Sequence, residues 1–243
     1  MALLTDSSAW REEAKRLAAS RAVDELVRDG MVLGLGSGST VAYAVRRLSE
    51  RAREEGLELL CVPTSYQIAF LAVEAGLRLT SLDEHPEPDL AIDGADQVSQ
   101  GLDLIKGGGA ALTREKIVDS AAKKLAIIVD EAKLVDRLGE RGFPIPIEVL
   151  PFARTPVIRA LRGMGAKEAR VRESGPGKVG PVITDNGNLI IDAYFGPINE
   201  PDELDKAIRA IPGVVETGLF LGITDLLYVG TRSGAVKVLK RGA

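Results

Sequence analysis

Apolar residues recur along this chain in two alternating rhythms. Between residues 8 and 29, Trp10, Ala14, Leu17, Ala18, Ala22 and Leu26 fall on one stripe at helical spacing, with Asp and Ser ahead of them and Gly30 behind as a stop. That pattern predicts an amphipathic helix. Residues 31–35 then form a short apolar run ending in a glycine-rich turn, and residues 39–53 return to the helical period. Residues 57–62 predict a strand and 66–75 another helix. Strand 90–93, helix 110–122 and strand 124–130 continue the alternation, the last with near-continuous apolar character. Strands of that kind are buried on both faces, as in a parallel sheet covered by helices.

The rhythm changes around residues 139–151, where Pro144, Pro146 and Pro151 follow a charged turn. This predicts a domain boundary near residue 143. Beyond it the pattern predicts strand 145–150, helix 156–164, strands 169–173 and 182–184, a turn at 185–188, strand 189–194, helix 202–211 and strand 214–219. Apart from the short strand 182–184 the order is β-α-β-β-α-β, that of a ferredoxin-like α+β unit. Short apolar runs at 226–229 and 236–239 are placed to rejoin the first sheet. The expected fold is therefore α/β: a Rossmann-like layered parallel-sheet domain over residues 1–142 plus 217–243, and a smaller ferredoxin-like domain over 143–216.

Composition narrows the function classes. The 243 residues are 45% apolar and 27% charged, enough for a full core, and the formal net charge of -4 speaks against a broad nucleic-acid footprint. Cys61 is the single cysteine, so no internal disulfide and no Cys/His zinc cluster is expected. The apolar opening of the chain is too short for a signal-peptide core, and no run approaches the roughly 18 to 20 apolar residues of a membrane span. A cytoplasmic protein that contacts neither membrane nor nucleic acid is expected.

The candidate chemistry lies where strands end. Gly34, Gly36 and Gly38 with Ser37, Ser39 and Thr40 join a strand to a helix, a position where amides and hydroxyls can wrap a phosphate. A dinucleotide fingerprint would need glycine where Ser39 stands, and a Walker loop would need lysine where Gly38 stands. A plain tight turn is the remaining alternative. Asp93, Gly94, Ala95 and Asp96 follow an apolar strand; taken alone, two aspartates there read as capping or turn residues. Lys106, Gly107, Gly108 and Gly109 precede a helix containing Glu115, and three successive glycines carry an entropic cost that argues for a use. Glu115 by itself fits a helix-dipole or solubility role. Lys133, just past a strand, reads as a solvated lysine, His85 as a surface-loop residue, and residues 185–188 as a hairpin turn without chemistry.

Taken in order, residues 36–40, Pro63-Thr64-Ser65, residues 93–96, residues 106–109 and Leu112-Thr113-Arg114-Glu115-Lys116 resemble the ribose-5-phosphate isomerase A family. Phe143-Pro144-Ile145-Pro146, Thr184-Asp185-Asn186-Gly187-Asn188 and Ile211-Pro212-Gly213-Val214-Val215 are similar to the same family. Each motif is weak alone; together and in register they are specific. Gln97 departs from the pattern, an acid often standing there.

The resemblance implies a Rossmann-like larger domain with a smaller α/β domain, a homodimer, and no metal or organic cofactor. It also implies conversion of D-ribose 5-phosphate to D-ribulose 5-phosphate. Glu115 matches the family's proton acceptor; Ser37, Gly38, Ser39, Thr40, Asp93, Gly94, Ala95, Asp96, Lys106, Gly107, Gly108, Gly109 and Lys133 match substrate-contacting positions. The chemistry suits those residue types, because an enediolate needs a carboxylate base and stabilisation of its oxygen. Lys106 would stabilise that charge, Asp93 and Asp96 would bind hydroxyls and assist ring opening, and Lys133 with Lys15 or Arg16 would support the phosphate. Two other classes remain open on residues alone: a sugar-phosphate-sensing regulator, against which no basic helix-turn-helix precedes residue 31, and a coenzyme A transferase with a nucleophilic Glu.

Overall fold

A computed structural model of the protein describes residues 6–175 and 177–242. The apolar opening at residues 1–5 lies outside the described residues. Along the chain run α1 (Asp6–Leu26), β1 (Val32–Leu35), α2 (Ser39–Glu55), β2 (Leu60–Pro63), α3 (Tyr66–Glu74), β3 (Arg78–Leu79) and β4 (Leu90–Asp93). Next come β5 (Gln97–Val98), β6 (Leu104–Ile105), α4 (Leu112–Ala121), β7 (Leu125–Asp130) and β8 (Ile145–Val149). Then α5 (Arg154–Gly163), β9 (Glu168–Val171), β10 (Leu189–Tyr194), α6 (Pro201–Arg209) and β11 (Val214–Thr217) follow. The chain closes with β12 (Leu219–Phe220), β13 (Leu226–Gly230) and β14 (Val236–Lys240).

Two compact units divide these elements. The first comprises residues up to Ala95, Arg114–Lys133 and the chain from Ile223 onward. Its seven-stranded sheet has the order β14-β13-β7-β4-β1-β2-β3. All neighbours are parallel except β13 and β14, which form an antiparallel edge pair. The strand order reverses direction at β1 and β4, where the chain leaves toward β2 on one side and returns on the other. In open α/β sheets this switch point opens a crevice beyond the strands' carboxyl ends. Leu33, Leu35, Ile92 and Ile128 on the strands are buried with Ala18, Ala22, Val23 and Leu48 from helices, so the sheet is packed and its register fixed. On α1 the buried face is Ala14, Ala18, Ala19, Ala22 and Val23, with Trp10, Leu17 and Leu26 at its margin, and Val27 just past the helix end is buried too. Small residues facing the sheet thus set the helix's rotation rather than its largest side chains.

The second unit comprises Asp96–Thr113 and Leu134–Gly222. Its four-stranded antiparallel sheet has the order β11-β8-β10-β9, and the chain order β8-α5-β9-β10-α6-β11 is the expected β-α-β-β-α-β. A three-stranded sheet, β12-β6-β5, belongs to the same unit. Ile147, Val149, Val157, Leu161, Ile191 and Ile208 make up its core.

Two expectations are corrected. Residues 182–184 form no strand; Ile183 makes only an isolated bridge to Leu189, because the chain turns back at once, the Thr184 carbonyl accepting from Gly187 N–H at 2.9 Å. Residues 214–219 do not form one strand either. β11 carries a register shift between Val214 and Glu216 and stops at Thr217, and Leu219 and Phe220 pair instead with Ile105 and Leu104. The two-residue strands β3, β5 and β6 are too short to show a period in the sequence.

Candidate active site

In the first unit the site grows from the switch point. Leu35 pairs with Ile92 across β1 and β4, and Gly36 N–H donates to the Ile92 carbonyl at 3.0 Å. A Cβ at Gly36 would lie 1.9 Å from the Asp93 carboxyl carbon, so only glycine lets the two strand ends approach this closely. Asp93 is fully buried. Its Oδ1 accepts the N–H of Ser37 at 3.3 Å and of Gly94 at 2.6 Å, so the carboxylate holds the turn that starts the glycine loop.

Ser37 is anchored from the other side by the Pro63-Thr64-Ser65 segment after β2. Its Oγ lies 2.8 Å from Thr64 Oγ1 and donates to Ser65 Oγ at 2.7 Å. Ser65 Oγ also caps α3 by accepting from Ile68 N–H. Gly38 sits at φ 99° as the residue before α2, and no side chain caps that helix or places an acid in its first turn. The N-terminus of this 17-residue helix, with Ser39 and Thr40 in its first turn, therefore presents amides and hydroxyls to an anion. Gly38 N–H also reaches Gln67 Oε1 at 3.2 Å. Lys15 Nζ lies 3.4 Å from Ser39 Oγ while paired with Glu12, whereas Arg16 is taken up by Glu13. The neighbouring ammonium holds the Glu12 carboxyl below its ordinary value. Of the alternatives Lys15 or Arg16, Lys15 is the one that reaches the loop.

Glu115 occupies the first turn of α4 and is 4% exposed, which removes a solubility role. Lys133 ends a single helical turn after β7 and is half-buried rather than solvated. His85 accepts or donates at Thr80 Oγ1, 2.8 Å from its Nδ1, in a surface loop.

The second unit holds the expected site residues Asp96, Lys106, Gly107, Gly108 and Gly109. Asp96 Oδ2 accepts Gly108 N–H at 2.7 Å, and a Cβ on Gly108 would fall 2.7 Å from the same carboxylate. Lys106 is 3% exposed, its backbone N–H donating to the Gly218 carbonyl at 2.9 Å. Its Nζ stands 5.3 Å from the centroid of the Phe220 ring, whose face attracts a cation. Gly107 at φ 103° and Ala110 at φ 63° bend the loop back, with Ala110 N–H donating to the Gly107 carbonyl at 3.0 Å. Gln97 is buried and bridges backbone: its Nε2 donates to the Glu140 carbonyl at 2.8 Å and its Oε1 accepts Gly139 N–H at 2.8 Å. A carboxylate could not donate there, so glutamine at this position serves the loop at 139–140.

Sequence reasoning missed Glu148. It stands fully buried in β8 and accepts from Thr113 Oγ1 (2.5 Å), Thr184 Oγ1 (2.8 Å), Asn186 Nδ2 (3.0 Å) and Asn188 Nδ2 (2.8 Å). The 185–188 turn, read as plain, is thus a ring of donors around a buried carboxylate. A lone acid inside the apolar strand Ile-Pro-Ile-Glu-Val was the available signal. Among the described residues no cluster of His, Cys, Asp and Glu could hold a metal ion, and no helix is long and apolar enough to cross a membrane.

Residues 60–234 match the family ribose 5-phosphate isomerase A (phosphoriboisomerase A). The chain is 54% identical to the ribose-5-phosphate isomerase A of Methanothermobacter thermautotrophicus over 93% of this chain and 97% of that one. The solved ribose 5-phosphate isomerase A of Methanocaldococcus jannaschii superposes with a TM-score of 0.89 at 51% identity, covering 94% of this chain and 99% of that one. A D-ribose-5-phosphate isomerase solved in complex with phospho-erythronic acid gives 0.91 at 46% identity, covering 95% and 99%.

Proposed function

The chain belongs to the ribose-5-phosphate isomerase A family, and from that membership we propose that it interconverts D-ribose 5-phosphate and D-ribulose 5-phosphate with Glu115 as general base. The reaction takes the proton from C2 of the open-chain aldose and returns a proton to C1, passing through an enediolate. The observation that carries the assignment is the burial of Glu115 in the first turn of α4. Keeping a carboxylate out of water costs free energy that only partners can offset, so a buried acid here is better explained by chemistry than by solubility, and it stands six residues after the 106–109 loop.

The remaining roles follow from chemistry. The α2 N-terminus, with Ser37, Gly38, Ser39 and Thr40, takes the phosphate, helped by Lys133. Lys106 is the cation set against the charge that develops on the enediolate oxygen. Asp93 and Asp96 contact sugar hydroxyls and assist proton movement in ring opening, alongside their hold on the two loops; Gly94, Ala95, Gly107, Gly108 and Gly109 offer backbone. No metal or organic cofactor is invoked. We place the enzyme in the cytoplasm, in the non-oxidative pentose phosphate pathway, and assign it a homodimeric state that light scattering on the eluted protein checks.

Incubation with ribose 5-phosphate and detection of the ketose tests the activity; absence of any ketose overturns it. Phospho-erythronic acid carries a phosphate at one end and two coplanar carboxylate oxygens at the other, like an enediolate. Competitive inhibition by it is expected.

A further inference from the structure

The 106–109 loop is gripped on both of its edges. Asp96 holds the amide edge at Gly108. On the carbonyl edge Arg172 Nη1 donates to Gly107 O at 2.8 Å and to Gly108 O at 3.0 Å. Arg172 lies one residue past β9, where its own N–H donates to the Ile190 carbonyl at 2.8 Å. On the neighbouring strand Asp192 pairs with Arg170, which places Asp192 diagonally across from Arg172 on one sheet face. The Asp192 carboxylate accepts Arg172 Nε at 2.9 Å and Nη2 at 2.5 Å. Two guanidinium nitrogens are thereby fixed, and the third is aimed at two successive carbonyls.

Stability alone does not account for this pair. Its side chains are only 16% and 11% exposed, and a buried ion pair is often replaceable by apolar side chains without loss because desolvation offsets the attraction. What apolar side chains cannot supply is a planar fork with one donor to spare. The loop needs such a device, since three glycines leave its peptide planes free to rotate. With both carbonyls drawn to the guanidinium, those planes are set and the backbone leading from Lys106 is held in one conformation.

We propose that Arg172, oriented by Asp192, is a positioning residue that sets the conformation of the 106–109 loop for isomerisation. The proposal rests on the isomerase reading above. Nothing in the local sequence of Arg172 announces it, because its partners come from a distant loop and the adjacent strand.

The test uses the full-length protein and the variants Arg172→Lys, Arg172→Ala, Asp192→Asn and Arg170→Ala. Misplacing a catalytic group by about 1 Å costs on the order of 10²-fold, so Arg172→Ala should lose about that much in kcat with KM little changed. Arg172→Lys keeps the charge without the fork and should recover only part of the loss. Asp192→Asn should fall the same way, and combining it with Arg172→Ala should add little. Arg170→Ala, which removes an exposed cation from β9 two residues before Arg172, should turn over like the parent. Hydrogen exchange supplies a readout independent of activity: amides at 107–110 should exchange faster in Arg172→Lys and Arg172→Ala, while those at 36–40 stay unchanged. Parent-like kcat, a change in KM alone, or unaltered exchange at 107–110 overturns the positioning role. If the parent protein makes no ketose, the isomerase reading fails, and the exchange result still decides whether Arg172 sets the loop.

Discussion

The two glycine loops solve one problem in different ways. Each receives a carboxylate from the segment Asp93-Gly94-Ala95-Asp96: Asp93 meets the Ser37 amide in the first unit, Asp96 the Gly108 amide in the second. Each has a glycine where a side chain would strike that carboxylate, Gly36 and Gly108. Past that point they diverge. The first loop is braced by the hydroxyls of Thr64 and Ser65 and opens into an uncapped helix end. The second is gripped on its carbonyls by a guanidinium and carries a buried lysine. An uncapped helix end suits a charge present throughout the reaction, such as a phosphate, whereas a fixed buried cation suits a charge that appears only during it. On the proposed roles, a loop of alternate glycines serves binding and a loop of consecutive glycines serves turnover.

The largest effect that sharpens this division is expected from Glu115→Gln. Removing a general base costs on the order of 10² to 10⁴ in rate, so kcat should fall at least that far while inorganic phosphate still competes for the first loop. Turnover of the parent in deuterated water should place label at C1 of the ketose, diluted by direct transfer. Near-normal turnover of the Gln variant, or hydride transfer without exchange in any solvent, would remove Glu115 from the proton path.

Lys106→Ala comes next. A cation facing developing charge acts on the transition state, so kcat should drop by about 10²-fold or more with a smaller change in KM. A rise in KM with kcat unchanged would make the second loop a binding element like the first and erase the comparison.

Gly36→Ala tests the close approach itself. Forcing a methyl into the space of the Asp93 carboxyl should cost about 1–3 kcal/mol of stability, read as a lowered urea midpoint. Gly109→Ala, where a Cβ meets nothing within 4 Å, should cost far less. Equal losses would mean that the first loop is looser than its contacts imply.

The smallest effects are expected from Ser39→Ala and Lys133→Ala. Each removes one hydrogen-bond donor or charge from the proposed phosphate site, for a loss of about 1–2 kcal/mol seen as a raised KM. Both should hurt a phosphorylated substrate more than ribose itself. Equal losses for the two substrates would take these residues off the phosphate.

Sequence by itself determined the elements long enough to show a period and the residues whose type announces a use. The α/β alternation, the β-α-β-β-α-β order and the placing of glycines and acids at strand ends were legible because each depends on neighbours a few residues away. The glycine loops at 36–40 and 106–109 stood out for the same local reason. Tertiary structure alone decided how those loops are held. Two-residue strands carry no period, residues 182–184 lost their strand to a turn drawn toward Glu148, and β11 gave way to β12 at Gly218. Glu148, Arg172 and Asp192 took their roles from partners far along the chain, and the two aspartates three residues apart were assigned to different loops in different units. A one-dimensional pattern records which side chain is present; which amide or carbonyl it reaches is fixed only when sheet pairing brings distant strand ends together.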